Sequence, residues 1–281
     1  MLYRIDELTL ESLYQFFQQL DYLEENGEIA NNKRVLILHS NYFKLEANLI
    51  DMALASKGFN KQIVNLDEID LGVSNNRLFL QSIIGQFRPD LIFCLSDQSQ
   101  IQKQLNSYSQ KKLCQVVYID KSNDVLFALA CLFAIRKHFP ELKRVRILSI
   151  GLPNERDYIY NFALLLSKYP NLELLYCYPE ELTIDNNFVD ELEAAPARTK
   201  FSYKFWNSLS RADVVFWENL KDKHLFETDI DDWNISSRHL SHLKKDAIIL
   251  MPLEDDTVKD KRSLKADLFD YYMLAVLSVI A

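Results

Sequence analysis

Short, unbroken apolar runs alternate with helix-period segments along almost the whole chain, and this alternation limits the possible folds more than any other feature. Arg34-Val-Leu-Ile-Leu-His39 is apolar at every inner position, the mark of a strand covered on both faces. Further strands are read at Gln62–Leu66, Asp90–Cys94, Cys114–Ile119, Val145–Ile150, Leu172–Tyr178, Asp213–Trp217 and Ala247–Leu250. Between them the spacing predicts helices, among them one with Leu10, Leu13, Phe17, Leu20 and Leu23 on one face, Thr9 as its cap and Asn26-Gly27 at its end. Others are predicted around Leu45–Ala53 with Gly58 as the stop, over Asn76–Phe87 and Asn154–Lys168, and over Lys265–Ile280 at the C-terminus. Strands separated by helices pair in parallel through right-handed crossovers.

The segment Val125–Ile135 is apolar nearly all round, as in a helix buried on most faces, and is the candidate hinge between two halves. His138-Phe139-Pro140 ends it, and the strand–helix pattern restarts after Lys143. A chain of 281 residues has the length for two medium domains. The expected fold is therefore α/β, with two domains that are each a parallel sheet flanked by helices. The first spans 1–139 and is completed by a C-terminal helix at 264–281; the second spans 140–263. Asp185–Ala197 reads as a surface loop or weak helix.

Charge narrows the function classes. The net charge is −8 and the pI about 5.2, which disfavours nucleic-acid binding, since that requires a basic face to release counterions. The N-terminal MLYRIDELTL lacks the apolar core of a signal peptide, and Met273–Ala281 is about half the length needed to span a bilayer. No membrane contact and a cytoplasmic location are expected. Cys94, Cys114, Cys131 and Cys177 are scattered without a C-x-x-C pair, the pattern of buried reduced thiols.

The residues that usually grip an anion on such a frame are missing. Only 5 glycines occur, and Gly151 alone sits where a strand turns into a helix, so neither G-x-G-x-x-G nor a P-loop is possible. No cofactor motif is present. His239-Leu-Ser-His242 has i, i+3 spacing but no nearby cysteine, and reads as a solvated helix face rather than a zinc site. Glu227, Asp229, Asp231 and Asp232 read as acidic surface, because no glycine permits a tight Ca²⁺ loop. No metal is expected. Ser40 follows a strand without the G-x-S-x-G elbow. Tyr203, Phe205, Trp206, Phe216, Trp217 and Trp233 are read as core, with a partner-binding surface as the sharper alternative.

Taken in order, the pieces resemble the aspartate/ornithine carbamoyltransferase family. VRILSIG at 145–151, LELLYCYPEEL at 172–182, ADVVFWENLKDKHLF at 212–226 and AIILMPLEDD at 247–256 follow the family's amino-acid-binding domain. The last of these replaces His-Pro-Leu-Pro with Met251-Pro252-Leu253-Glu254. In the first half, HSNYFKLEANLIDMALASKG at 39–58 is similar to the turn that carries Ser-Thr-Arg-Thr-Arg. Asp70-Leu71-Gly72 is similar to the Ser-Leu-Gly loop, and IDKSNDVLFALACLF at 119–133 to the segment with His-Pro-x-Gln. The likeness is one of pattern and order, and the resemblance implies a C-terminal helix that returns to the first domain.

It also implies which positions should hold chemistry, and those positions have lost it, except that Arg156 remains from the second-domain anion contacts when a one-residue gap is allowed. In the family, hydroxyls, backbone N–H groups at a helix N-terminus and a guanidinium hold the phosphate. Here Phe43, Lys44, Leu45 and Glu46 fall there. The carbamoyl contacts fall on Asp124, Val125 and Leu126, and the amino-acid contacts on Arg156, Asn219, Lys221, Met251, Pro252 and Leu253. Removing about four charge-assisted hydrogen bonds, at about 1.5–3 kcal/mol each, costs roughly 6–12 kcal/mol, about four decades of affinity or more. The leading expectation is a catalytically inactive homologue that acts by self-association, as a trimer, or by joining a protein partner. The alternative is a diverged transferase or small-molecule-binding protein that uses the inter-domain cleft for an amino-acid-like or other metabolite.

Overall fold

The ends of the first helix follow from its local sequence. In α1 (Leu10–Asn26), Thr9 Oγ1 accepts the Ser12 N–H at 3.1 Å while Ser12 Oγ accepts the Thr9 N–H at 2.8 Å, a reciprocal cap. Leu13, Phe16, Phe17, Leu20 and Leu23 form one buried face. The helix stops at Gly27, whose φ of 65° suits a residue without Cβ and whose N–H reaches the Leu23 carbonyl at 2.8 Å. The computed structural model describes residues 8–27, 29, 32–68, 75–111, 113–120, 124–151, 158–181, 183–218, 233–252 and 258–280.

Strand–helix alternation builds a four-stranded parallel sheet from β1 (Arg34–His39), β2 (Asn60–Asn65), β3 (Leu91–Leu95) and β4 (Gln115–Ile119) in the order β2-β1-β3-β4. The crossovers are α2 (Lys44–Ser56), α3 (Asn75–Phe87) and α4 (Ser99–Gln110). On one sheet face, Leu36, Leu38, Ile92, Cys94, Val116 and Tyr118 pack with Leu80, Ile84, Ile101 and Leu105 from α3 and α4. Each such aliphatic side chain contributes about 1.5–3 kcal/mol on burial.

A second parallel sheet has the order β7-β6-β5-β8-β9, from β5 (Arg146–Ile150), β6 (Glu173–Cys177), β7 (Arg198–Ser202), β8 (Val214–Trp217) and β9 (Ile248–Leu250). Around it in sequence lie α5 (Val125–His138), α6 (Tyr158–Ser167), α7 (Asn186–Ala194), the short α8 (Trp206–Leu209), α9 (Ser237–His242) and α10 (Lys265–Ile280). Leu148, Ile150, Val215, Trp217 and Ile249 form one face of this core with Phe205 and Leu209.

The chain divides into two compact units, Met1–Leu126 with Tyr272–Ala281, and Phe127–Tyr271. The divisions fall inside α5 and inside α10. Every residue from Val125 to Ile135 is fully buried, as the all-round apolar pattern requires. No helix among the described residues is long and apolar enough to cross a membrane.

Of the two readings of Asp185–Ala197, the helix is the one observed: α7, whose N-cap Asp185 accepts the Asn187 N–H at 2.9 Å. Other elements depart from the expectations. α4 was hidden by its composition: Ile101 and Leu105 are its only fully buried residues in a run of Ser and Gln. β7 is an edge strand of sequence RTKFS, too polar to read as a covered strand.

Candidate functional site

In open parallel sheets, ligands bind beyond the carboxyl ends of the strands, where the strand order reverses. In the first unit that point lies between β1 and β3. The chain leaves β1 through Ser40 and a 3₁₀ turn at Asn41–Phe43, which leads into α2. This turn is where an anion would find free backbone donors, and three of its N–H groups are already committed. The Ser40 N–H bonds the Leu95 carbonyl at 3.0 Å and the Phe43 N–H bonds the Ser40 carbonyl at 3.1 Å. The Asn41 N–H donates to Asp67 Oδ2 at 2.6 Å.

Asp67 is placed by a local network. Its own N–H bonds Asn65 Oδ1 at 3.0 Å, and Asn65 Nδ2 reaches Asn41 Oδ1 at 2.8 Å and Glu68 Oε1 at 2.9 Å. The loop after β3 is similarly closed on itself. Gln102 Nε2 donates to the Ser96 carbonyl at 2.9 Å and to Asp120 Oδ2 at 3.2 Å, and the Gln98 N–H bonds Ser96 Oγ at 3.2 Å. This sheet edge therefore carries Glu46, Asp67, Glu68, Asp97, Asp120 and Asp124, and Lys44 is its one cation among the described residues.

In the second unit the corresponding point lies between β5 and β8. Gly151 leaves β5 at φ 142°, with its N–H on the Cys177 carbonyl at 3.1 Å. After β6 and β7, Tyr178 and Tyr203 meet edge to face at 5.1 Å, and burial followed by the hydrogen bond to Tyr203 pushes the Tyr178 hydroxyl up to about 12. The Tyr178 phenol stays neutral at physiological pH, so it is not poised as a base.

No family model and no curated protein sequence matches the chain. Solved structures do. A mitochondrial ornithine carbamoyltransferase from Coccidioides immitis superposes with a TM-score of 0.81 at 15% identity, covering 99% of this chain and 95% of that one. An ornithine carbamoyltransferase from Gloeobacter violaceus gives 0.77 at 16% identity, covering 99% and 96%. This chain has the carbamoyltransferase fold. The expected architecture, two parallel α/β domains ending in a C-terminal helix, is the one observed.

Within the carbamoyltransferase fold, the positions expected to be degenerate are distributed as follows. Phe43 is buried against Tyr42, with ring centroids 4.9 Å apart. Lys44 opens α2 from an exposed position, Leu45 is half-buried, and Glu46 is buried in the first turn. Asp124 is 7% exposed, and Val125 and Leu126 are wholly buried at the start of α5, beyond β4 on the same sheet edge. In the second unit Met251 packs into the core with Trp217 and Phe205, and Pro252 is buried. Arg156, Asn219, Lys221 and Leu253 lie outside the described residues, as do Asp70-Leu71-Gly72 and the acidic set Glu227, Asp229, Asp231 and Asp232.

The histidine pair corrects one expectation. His242 is exposed as anticipated, but His239 is only 2% exposed, so it does not lie on a solvated face. Its ring packs on Trp206 at 4.5 Å and Trp217 at 4.9 Å, and its Nδ1 accepts the Ser236 N–H at 3.1 Å to cap α9. A flat, half-apolar ring gains more from this aromatic nest than from water. No group of metal-ligating side chains occurs among the described residues.

The four cysteines are free and buried. Burial, then Asp120, drives Cys94 up to about 12, and burial raises Cys177 to about 12, so neither is a nucleophile. The sequence reading missed Asp67 and Asn41. A usable signal was present: Asn65-x-Asp67 directly after a strand is an Asx-turn pattern that can aim a carboxylate back at the neighbouring turn.

Proposed function

We propose that this chain is a non-catalytic relative of the aspartate and ornithine carbamoyltransferases that acts by association, either with copies of itself, a trimer being the assembly implied by the resemblance, or with a protein partner. One observation carries this reading. The strand-to-helix turn at Ser40–Phe43, where a carbamoyl phosphate dianion would need free N–H groups and cations, has its Asn41 N–H filled by the chain's own Asp67 carboxylate at 2.6 Å. A dianion would have to displace that carboxylate, losing a charge-assisted bond of about 1.5–3 kcal/mol, and then sit among other carboxylates. Glu46, buried in the first turn of α2, places a carboxyl group where the chemistry needs a cation.

The burial of Val125, Leu126 and Met251 supports the same reading, since these side chains serve packing at positions where the family presents polar groups. The test pairs two measurements on the full chain. Isothermal titration with carbamoyl phosphate, with and without ornithine or aspartate, is expected to give no saturable heat, and light scattering is expected to give a mass above the 33.0 kDa monomer. Tight carbamoyl phosphate binding would overturn the loss of catalysis. A strictly monomeric protein would remove self-association and leave only a separate protein partner.

A further inference from the structure

Five cations gather at the edge of the second sheet where the strands begin, opposite the strand ends described above. Two rungs of the sheet set their positions. Arg146 pairs with Glu173, which pairs with Arg198; two residues on, Leu148 pairs with Leu175, which pairs with Lys200. In-register neighbours in a parallel sheet share a face, and so do residues two apart. This face is the one that carries Leu148, Cys177 and the rest of the core beneath α8.

α8 is only four residues long and leaves the β6–β7 end of this face uncovered, so Leu175 is only half-buried. The result is a cavity of about 410 Å³ with an apolar floor that includes Leu148 and Leu175, walled by Arg146, Arg198, Lys200 and Arg211. A second hollow of about 320 Å³ shares Arg146, Glu173 and Arg198 with it and adds Arg144.

The charge is unbalanced. Of the five cations, Arg146 has a carboxylate partner, with its Nε 2.9 Å from Glu173 Oε2. Arg144, Arg198, Lys200 and Arg211 form no ion pair among the described residues. On a chain with a net charge of −8, five cations around one engaged carboxylate form a local excess of positive charge. Guanidinium forks match phosphate oxygens in geometry, and a few hundred Å³ over apolar side chains is the size of a small-molecule site.

We propose that this cavity binds a small phosphorylated organic molecule, with its phosphates among Arg146, Arg198 and Arg211 and its organic body on the Leu148–Leu175 floor. The site is independent of the carbamoyl phosphate positions, so it can be occupied whether or not transfer chemistry survives.

Isothermal titration of the full chain with ADP and with inorganic pyrophosphate tests this. Saturable one-to-one binding of ADP is expected, at least as tight as that of pyrophosphate. Arg198→Gln and Arg211→Gln should each weaken it about tenfold, the loss of one charge-assisted contact. Lys103→Gln, an exposed cation of the first unit, should leave it unchanged, and all three variants should keep the parent melting temperature. Absence of saturable binding by both probes would overturn the proposal and leave Arg198 and Lys200 as charges that guard an edge strand. Equal weakening by Lys103→Gln would also overturn it, since the attraction would then be diffuse. Binding of pyrophosphate without ADP would refute the apolar seat.

Discussion

Arg262 holds Asp260 with both sides of its guanidinium: Nε lies 2.9 Å from Oδ1 and Nη2 lies 2.7 Å from Oδ2. The remaining Arg262 donors reach the carbonyls of Leu240 at 2.9 Å and Lys244 at 3.0 Å. One side chain thus ties the end of α9 to the segment that enters α10. The hydrogen bonds to Arg262 hold the Asp260 carboxyl down at about 2, from an ordinary 3.8. A depressed carboxyl contributes its stability in full above the unfolded-state value and loses it as pH falls from about 4 towards about 2. Asp260→Asn should lower stability at neutral pH by about 1.5–3 kcal/mol, and this difference from the parent should shrink in that acid window. Urea unfolding across pH reads both effects. A constant difference across pH would mean the pair is not the cause.

His239→Ala should destabilise the second unit by about 2–4 kcal/mol, by opening a cavity beneath Trp206 and Trp217 and uncapping α9. The chain's three tryptophans are Trp206, Trp217 and Trp233, all in this unit, so intrinsic fluorescence follows its unfolding directly. Zinc added to the native protein should leave that fluorescence unchanged. Quenching by stoichiometric zinc would contradict the packing role of His239.

Asp67→Ala removes the acceptor of the Asn41 N–H, and a loss of about 1–2 kcal/mol is expected, by analogy with deleting a helix cap. Asp67→Asn keeps an oxygen in place and should cost less than half as much. Denaturant midpoints compare the two. Equal losses would mean that the carboxylate charge, not its acceptor geometry, sets the effect.

The thiols should be silent in the folded protein. With Cys94 and Cys177 pushed up to about 12, about one part in ten thousand of either is thiolate at pH 8. Reaction with an aromatic disulfide reagent should be slow in native buffer and reach four equivalents in denaturant. Rapid native labelling of either residue would show that the core around it opens readily.

Legibility from sequence tracked burial. Arg34–His39 was readable to the residue because a strand covered on both faces must be apolar throughout. α5 was readable for the same reason. β7 and α4 were not, because an edge strand and a helix that buries two residues leave too few apolar positions to set a period. His239 was misread because i, i+3 spacing says nothing about which aromatic rings a fold brings over a histidine from α8 and β8. At the candidate site, the apolar replacements Phe43, Val125 and Leu126 were visible as residues, and their burial follows from their chemistry. Asp67 was not, because its role depends on β1 and β2 lying side by side, with His39 level with Asn65.

The first compact unit takes residues from both ends of the described chain, with 272–280 joining 8–126, and the Lys33 ammonium bonds the carbonyl of Ile280. During synthesis, everything between those two stretches leaves the ribosome before the closing segment does. The early-made lobe must therefore wait, with its last helical turns missing, until the later-made lobe has emerged in full. A nascent chain stalled ahead of Tyr272 is expected to be a substrate for chaperones and proteases in a way the finished molecule is not.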